Sequence, residues 1–270
     1  MKKSMSIPNT QHPITVLVTG ANGQLGLTIQ KYKGDYENVV FIFCLSKELN
    51  ITKKISIKSA FGKYNPDYCI NCAAYTNVEK AEEEPEQALE VNAEGVKKLA
   101  EVCKEYGTTL IHISTDYVFD GEKGTPYTVN DEPNPINEYG KSKLQGEKYI
   151  QEITENYFIV RTSWLYSKEF GKNFYRTILQ KVQTEKELRV IDSQTGCPTD
   201  TENLATYIMS LIVSNDKGYG IRHFSGKKEM TWYEFAVDIL KDNEIKKDLK
   251  IVSDNSYKMK AKRPVYSVLK

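Results

Sequence analysis

A glycine-rich loop near the start of the chain constrains the fold more than any other feature. It lies between a β-branched run over Ile14–Thr19 and a helical stretch over Gly23–Tyr32. Glycines at this junction permit a tight turn and close backbone approach to a pyrophosphate, and the helix N-terminus offers N–H groups to the phosphates. The loop therefore predicts a dinucleotide site at Gly20, Asn22, Gly23, Gln24, Leu25 and Gly26.

Strands and helices alternate from this loop to about residue 163. Further strands are predicted at Val39–Leu45, Tyr68–Cys72, Thr108–Ser114 and Phe158–Arg161. Helices are predicted at Ile55–Tyr64, Pro85–Tyr106 and about Asn137–Glu155. This alternation favours an α/β fold with a doubly wound parallel sheet of the Rossmann type.

The pattern becomes irregular after Trp164. Helices are predicted at 173–183 and 203–213, a strand at 188–191, and a further helix that opens on a capping box of Thr231 and Glu234. We interpret this part as a smaller C-terminal substrate-binding lobe. The dinucleotide-binding domain is assigned to 14–163 with a returning segment at about 188–217, and the lobe to 164–187 and 218–270.

Composition argues against several classes of protein. The formal net charge is +1, so there is no electrostatic reason to expect nucleic acid or a membrane as partner. No run approaches the roughly 18 apolar residues of a membrane span. The polar leader at residues 1–13 lacks the apolar segment of a secretory signal. Five cysteines, mostly in apolar segments, are typical of reduced thiols in a cytoplasmic protein.

The sequence predicts no metal site. His12, His112 and His223 are scattered along the chain. Cys69 and Cys72 match a C-x-x-C motif, but on a strand positions i and i+3 face opposite sides, which disfavours a redox or metal role.

Tyr139 and Lys143 form the candidate catalytic pair. They are four residues apart in a predicted helix, which places both on one face. A lysine charge roughly 6 Å from a phenol, at an effective dielectric near 20, is worth ~3 kcal/mol or ~2 pKa units. We therefore expect Lys143 to lower the pKa of Tyr139 toward the range where it exchanges protons at neutral pH.

Ser114 and Thr115 strengthen this interpretation by their position. They leave the carboxyl end of the fourth predicted strand, the edge at which open α/β sheets place ligands. A hydroxyl there can hydrogen-bond a substrate carbonyl beside Tyr139. The structural alternative is a turn-forming Ser/Thr cluster.

The glycine loop, the Ser114–Thr115 step and the Tyr139–Lys143 pair together resemble the extended short-chain dehydrogenase/reductase superfamily. Further segments are similar to its dTDP-4-dehydrorhamnose reductases in particular: Gly23–Gly26, Asn71–Glu82, Val91–Ala93, Ser114–Phe119, Arg161–Tyr166, Gly196–Thr199 and Arg263–Pro264. The resemblance implies NAD(P)H-dependent reduction of the C4 ketone of dTDP-4-dehydro-L-rhamnose to dTDP-L-rhamnose.

The resemblance also implies a role for individual residues. Tyr139 would give the proton, Lys143 would lower its pKa and bind the nicotinamide ribose, and Thr115 would orient the carbonyl. Further cofactor contacts are implied at Asn50, Ile51, Ala73, Ala74, Tyr75 and Asn92. Substrate contacts are implied at Tyr117, Trp164, Asn173, Gln194, Thr199 and Arg263, the last four toward the nucleotide diphosphate.

Four of these residues also have a purely structural interpretation. Trp164 could fill the core between the two parts of the chain, and Asn173 could cap a helix. Arg263 could be a surface cation. Asn92 could turn a polar side chain to solvent from within a helix.

The residues after the second predicted strand bear on cofactor choice. Ser46 and Lys47 could accept the 2′-phosphate of NADPH, whereas Glu48 could hold the free ribose of NADH. We favour NADPH. A requirement for Mg²⁺ is implied by the resemblance alone, and the chain could act as a monomer or a homodimer.

Two other functions remain open on the sequence. Another nucleotide-sugar reductase or an epimerase would share the fold; a dehydratase is disfavoured because only one acid, Asp116, follows Thr115. A catalytically silent dinucleotide-binding regulatory subunit is the second alternative. Thr115, Tyr139 and Lys143 are all present, which favours the enzyme.

Overall fold

The computed structural model describes residues 12–245 and 249–270. Residues 1–11 and 246–248 lie outside the described residues, so of the predicted polar leader only its last two residues are covered.

A parallel sheet of six strands forms the centre of the molecule. Its strands are β1 (Ile14–Thr19), β2 (Val39–Phe43), β3 (Tyr68–Asn71), β4 (Thr109–Thr115), β5 (Tyr157–Thr162) and β10 (Gly220–His223). Their spatial order is β10-β5-β4-β3-β1-β2, and every neighbouring pair is parallel. The order changes direction between β1 and β3, which opens a crevice at the carboxyl ends of the strands.

Helices cover both faces of this sheet and build the lobe. They are α1 (Gln24–Tyr32), α2 (Lys54–Tyr64), α3 (Val78–Ala81), α4 (Pro85–Leu89), α5 (Gly95–Tyr106), α6 (Glu138–Ile153), α7 (Phe174–Thr184), α8 (Thr201–Val213) and α9 (Trp232–Asp242). Side chains alternate across β1: Val16 and Val18 pack with α1 and α8, while Leu17 packs with α2 and α5. The doubly wound α/β fold predicted from the sequence is confirmed.

In the described part of the chain, three pairs of short strands lie outside the central sheet. They are β6 (Leu165–Tyr166) with β9 (Thr199–Asp200), β8 (Thr195–Gly196) with β11 (Met230–Thr231), and β7 (Glu187–Val190) with β12 (Lys250–Ser253). Apolar side chains of α7, α9 and β7 form a separate core beneath them. The predicted capping box of Thr231 and Glu234 is present at the start of α9.

The pairing of two strands differs from the division of the chain into a dinucleotide-binding domain and a lobe. Strand β10 completes the central sheet beside β5, although 218–270 was assigned to the lobe. Strand β7 pairs with β12 rather than with the central sheet, although the returning segment was placed at about 188–217. Both pairings join residues far apart in sequence, which local patterning does not report.

The long helix predicted over Pro85–Tyr106 is interrupted. A π-helical turn at Glu90–Glu94 separates α4 from α5. This turn carries Asn92, whose buried side chain binds backbone elsewhere, as described below. Among the described residues, no helix is both long enough and apolar enough to cross a membrane.

Candidate active site

A cavity of about 770 Å³ lies at the carboxyl ends of β1, β3 and β4. It extends from the glycine loop to the aromatic side chains of the lobe. Sixteen of the predicted site residues line it: Gly20, Asn22, Gly23, Gln24, Leu25, Ser46, Asn50, Ile51, Ala73, Ala74, Thr115, Tyr117, Tyr139, Lys143, Trp164 and Asn173. The fold therefore brings most of the residues predicted to contact cofactor and sugar, and all three predicted catalytic residues, to the lining of one cavity.

The glycine loop has the geometry of a phosphate cradle. Gly20 has φ +60°, and a Cβ there would lie 2.6 Å from the backbone nitrogen of Ala73. A Cβ at Gly26 would lie 2.7 Å from Cα of Ala21, so α1 packs closely on the loop. Gly23 caps α1 without a side-chain hydrogen bond, which leaves the first N–H groups of the helix available to an anion.

Lys143 is buried at the floor of the cavity, with 2% of its surface exposed. Its Nζ donates a hydrogen bond to the Ile113 carbonyl at 2.7 Å and lies 3.1 Å from Nε2 of His112. Burial lowers the pKa of Lys143 to about 8, and the same burial, together with the lysine charge, lowers the pKa of His112 well below its usual value. His112 is therefore a neutral imidazole at the root of the site.

The hydrogen bonds of His112 continue toward the glycine loop. Its Nδ1 lies 3.0 Å from Nδ2 of Asn71, and the hydroxyl of Thr19 donates to Oδ1 of Asn71 at 2.6 Å. Thr19 directly precedes Gly20. A continuous buried chain of polar side chains thus joins Lys143 to the proposed phosphate loop.

Tyr139 lies on the first turn of α6 and is hydrogen-bonded to Thr115. Burial raises the pKa of Tyr139 to about 12, against the opposing effect of that hydrogen bond. The expected lowering by Lys143 is absent, because the lysine Nζ is bound to His112 and the Ile113 carbonyl instead. The phenol of Tyr139 is therefore protonated throughout the neutral range.

Thr115 connects Tyr139 to a buried acid. Its hydroxyl donates to Oδ1 of Asp116 at 3.1 Å and accepts the backbone N–H of Tyr117 at 3.1 Å. Burial raises the pKa of Asp116 to about 7. The ring of Tyr117 stands edge-on to Tyr139, with centroids 6.0 Å apart.

A buried ion pair joins β5 to α6, and Ser114 at the end of β4 is bonded to it. Nη2 of Arg161 lies 2.6 Å from Oε2 of Glu147, and both side chains are almost wholly buried. Ser114 donates a hydrogen bond to the same carboxylate. Ser114 is thereby committed to structure, and Thr115 is the hydroxyl of this step that bonds Tyr139.

Asn92 acts as a clamp inside the protein rather than as a solvent-facing side chain. It is fully buried, accepts the N–H of Tyr75 at 2.8 Å and donates to the Tyr75 carbonyl at 2.9 Å. It also donates to the hydroxyl of Ser142 at 3.0 Å. Asn92 thus holds the segment that follows Ala73 and Ala74 against α6.

Asn173 both caps a helix and lines the cavity. Its Oδ1 accepts the N–H of Arg176 at 3.1 Å, which starts α7, and its Nδ2 donates to Oε1 of Gln24 at 3.2 Å. Nε2 of Gln24 also donates to the Leu165 carbonyl at 3.1 Å. The lobe is therefore tied to the glycine-loop helix at this point.

Seven predicted site residues lie outside the cavity lining: Gly26, Lys47, Tyr75, Asn92, Gln194, Thr199 and Arg263. Thr199 is buried and hydrogen-bonded to the Cys197 carbonyl and the Gly226 N–H. Oε1 of Gln194 accepts a hydrogen bond from Nε1 of Trp232 at 3.1 Å. Nη2 of Arg263 is paired with Oε1 of Glu79 at 2.8 Å.

Sequence reasoning missed two residues that the structure brings to the site. His112 is considered in the sequence only as a metal ligand; its place three residues before Thr115 on a buried strand is the signal that could have identified it. Trp232 lines the cavity and stacks on Trp164. No local pattern joins residues 164 and 232. Within the described chain, no group of three metal-ligating side chains is present.

Comparison with known proteins identifies the family of this chain. The family described as "RmlD substrate binding domain" matches residues 14–270. The chain belongs to this family. The predicted family is confirmed, and so is the prediction that the chain is a reductase.

Relatives of this RmlD-family chain match it over most of their length. A spore coat polysaccharide biosynthesis protein, SpsK, of Bacillus subtilis is 39% identical over 256 residues, covering 94% of this chain and 88% of the relative. A dTDP-4-dehydrorhamnose reductase of Aggregatibacter actinomycetemcomitans is 37% identical over 267 residues, covering 94% and 90%. A crystal structure of dTDP-4-dehydrorhamnose reductase from Bacillus anthracis in complex with NADP has a TM-score of 0.89 at 36% identity, covering 96% and 90%.

Proposed function

We propose that this chain reduces the C4 ketone of dTDP-4-dehydro-L-rhamnose to dTDP-L-rhamnose with NADPH or NADH. The observation that carries the proposal is that Thr115, Tyr139 and Lys143 line the same cavity as the glycine loop. Family membership and the names of the relatives support the choice of substrate.

The cavity residues fit a nicotinamide dinucleotide. The cradle at Gly20 leaves no room for a side chain, and the uncapped N-terminus of α1 faces the same space. Gly20–Leu25 would hold the pyrophosphate, and Ala73 and Ala74 would line the cofactor. When bound, the reduced cofactor supplies a hydride; Lys143 would hydrogen-bond its ribose.

Tyr139 is proposed as the general acid. Because burial keeps its pKa near 12, the phenol carries its proton at neutral pH and can donate it to an oxyanion that develops at C4. Thr115, already hydrogen-bonded to Tyr139, would hold the same oxygen. The phenolate of Tyr139 remains after this transfer. The ammonium of Lys143 would stabilise it, once a bound ligand draws that ammonium toward Tyr139.

NADPH is preferred in this proposal. Ser46 lines the cavity, and the exposed Lys47 follows it. The carboxylate of Glu48 accepts the N–H of Leu45 at 2.8 Å, so it is turned into its own loop rather than toward a ribose. We also propose that the enzyme is cytoplasmic, which agrees with its five free cysteines. It would act as a monomer or a homodimer.

The decisive assay follows absorbance at the nicotinamide band with dTDP-4-dehydrorhamnose made in situ. We expect consumption of NADPH that depends on the keto sugar. An epimerase would bind dinucleotide without net consumption, and a silent regulatory subunit would show neither turnover nor isomerisation. Either result rejects the reductase.

Tyr139→Phe tests the proposed acid. We expect turnover to fall by at least ~100-fold, as for loss of a general acid, while affinity for NADPH changes by no more than a few-fold. Tyr149→Phe is the matched control, because Tyr149 lies on the same helix with its hydroxyl on Glu94, outside the cavity lining. Unchanged turnover in Tyr139→Phe would exclude the mechanism.

A further inference from the structure

The two indoles of the chain are stacked on one another inside the candidate site. Trp164 and Trp232 have ring centroids 3.5 Å apart and planes inclined by 5°. Both line the cavity that contains Thr115 and Tyr139. Trp164 follows β5 of the central sheet, and Trp232 is the first residue of α9 in the lobe. The stack therefore bridges the two parts of the molecule across the substrate end of the cavity.

Trp164 is held firmly in place. Its backbone has φ +46°, a left-handed conformation that a bulky side chain rarely adopts, and such conformations cluster at functional sites. Its carbonyl accepts the N–H of Thr199 at 3.2 Å. Gly196 lies against the ring so closely that a Cβ there would be 2.5 Å from Cε2. The indole cannot retreat toward Gly196.

Trp232 is held by contacts of the lobe. Its indole N–H donates to Oε1 of Gln194 at 3.1 Å, and the ring of Phe174 lies 4.6 Å away at a tilt. At a separation of 3.5 Å, the stack leaves no room for a ligand on the face of Trp164 that Trp232 covers. A ligand that uses this face has to separate the two rings.

We propose that Trp232 is a substrate-binding residue and that the deoxysugar ring binds between Trp164 and Trp232, separating the two stacked indoles. This inference rests on the proposed function. The C–H face of a deoxysugar is apolar and flat enough to replace an aromatic face, and aromatic side chains with a polar edge suit such a ligand. Separation also releases Gln194 to hydrogen-bond the ligand.

The composition of the chain makes the stack directly observable. The sequence contains two tryptophans, so any indole–indole signal in the full-length protein arises from this pair. Closely stacked indoles give a paired positive and negative band in the far-ultraviolet circular dichroism spectrum. We expect saturation with dTDP-L-rhamnose to remove most of this band pair, and saturation with dTDP, which lacks the sugar, to leave it in place.

Calorimetric titration with both ligands separates the possible failures. If dTDP-L-rhamnose binds and the band pair keeps its full amplitude, the inference is overturned while the proposed function stands. If dTDP-L-rhamnose does not bind, the proposed function and the inference both fail. Trp232→Phe and Trp164→Phe each have to abolish the band pair, which assigns it to the stack.

Kinetics provide an independent test. We expect Trp232→Ala to raise KM for the keto sugar about tenfold, which corresponds to about 1.4 kcal/mol, with KM for NADPH unchanged. Trp232→Phe, which keeps an aromatic face, should recover part of the loss. Tyr233→Ala is the matched control, because Tyr233 is a partly buried aromatic of the same helix outside the cavity lining. Equal effects of the two alanine variants would overturn the proposal.

Discussion

At the scale of single residues, the meeting of the candidate residues in one cavity could be predicted from the sequence, and their electrostatics could not. The helical spacing of Tyr139 and Lys143 and the position of Thr115 at the end of β4 predict that they meet, because helical period and sheet edge are visible in sequence. Their pKa values depend on burial and on partners distant in sequence. Lys143 turns to His112 and the Ile113 carbonyl, so Tyr139 keeps a raised pKa rather than the expected lowered one.

Burial of Lys143 predicts that this residue reduces stability at neutral pH. Its pKa falls from 10.5 to about 8 on folding. The unfavourable contribution of Lys143 to stability is therefore absent above pH 10.5, grows as the pH falls, and is complete below pH 8. The shift corresponds to at most about 3 kcal/mol below pH 8. Lys143→Met should therefore be more stable than the parent chain at pH 7, by less than this limit because two hydrogen bonds are lost.

Urea unfolding of Lys143→Met at pH 7 and at pH 10 provides the measurement. The stability gain should shrink at pH 10, while reductase turnover is lost at both pH values. Lys141→Met on the same helix is the control, because its side chain is 56% exposed and paired at the surface with Glu138. A gain that is equal at the two pH values would contradict the burial argument.

At the scale of elements, local patterns predict the positions of most strands and helices. They fail where the hydrogen bonds of a buried polar side chain determine the backbone conformation. The strand predicted at Ile14–Thr19 has those bounds. The helix predicted over Pro85–Tyr106 is broken by a π turn, because the turn places Asn92 against the backbone of Tyr75. Such turns occur often at functional sites, and no periodicity in the sequence reports them.

Asn92→Ala should loosen the segment that carries Ala73 and Ala74. The substitution leaves the N–H and carbonyl of Tyr75 without their partner, at a cost of about 1–3 kcal/mol. We expect a lower melting temperature and a several-fold higher KM for NADPH, with a smaller change in KM for the keto sugar. Asn77→Ala, which removes the cap of α3 at the surface, is the control. Equal changes in the two KM values would exclude a role for this clamp in cofactor binding.

At the scale of the whole molecule, the alternation of elements predicts the central sheet, whereas the attachment of the lobe depends on contacts that only the fold creates. Gln24 binds the Leu165 carbonyl and Asn173, and Arg263 binds Glu79. Residues far apart along the chain thus meet, Gln24 and Asn173 in the cavity lining and Glu79 and Arg263 outside it. Sequence similarity suggested which side chains gather there, and it could not show that several are already paired.

The ion pair of Arg263 with Glu79 joins two distant parts of the chain and leads to a prediction about substrate binding. Its guanidinium lies 2.8 Å from the Glu79 carboxylate, and the two side chains are 22% and 36% exposed. If Arg263 binds the diphosphate of the substrate, Glu79 competes with that anion for the guanidinium, since a carboxylate and a phosphate use the same planar donors. Glu79→Gln should therefore lower KM for the dTDP-sugar, whereas Arg263→Ala should raise it far more than it lowers kcat.

The two substitutions are best measured together, with the double variant, at two ionic strengths. In the double variant the benefit of Glu79→Gln should disappear, because no guanidinium remains to be released. Added salt screens the exposed part of the pair and should narrow the difference between Glu79→Gln and the parent chain. If Glu79→Gln lowers KM equally in the parent chain and in Arg263→Ala, Glu79 acts by general repulsion of the anion. Competition between Glu79 and the diphosphate for Arg263 is then excluded.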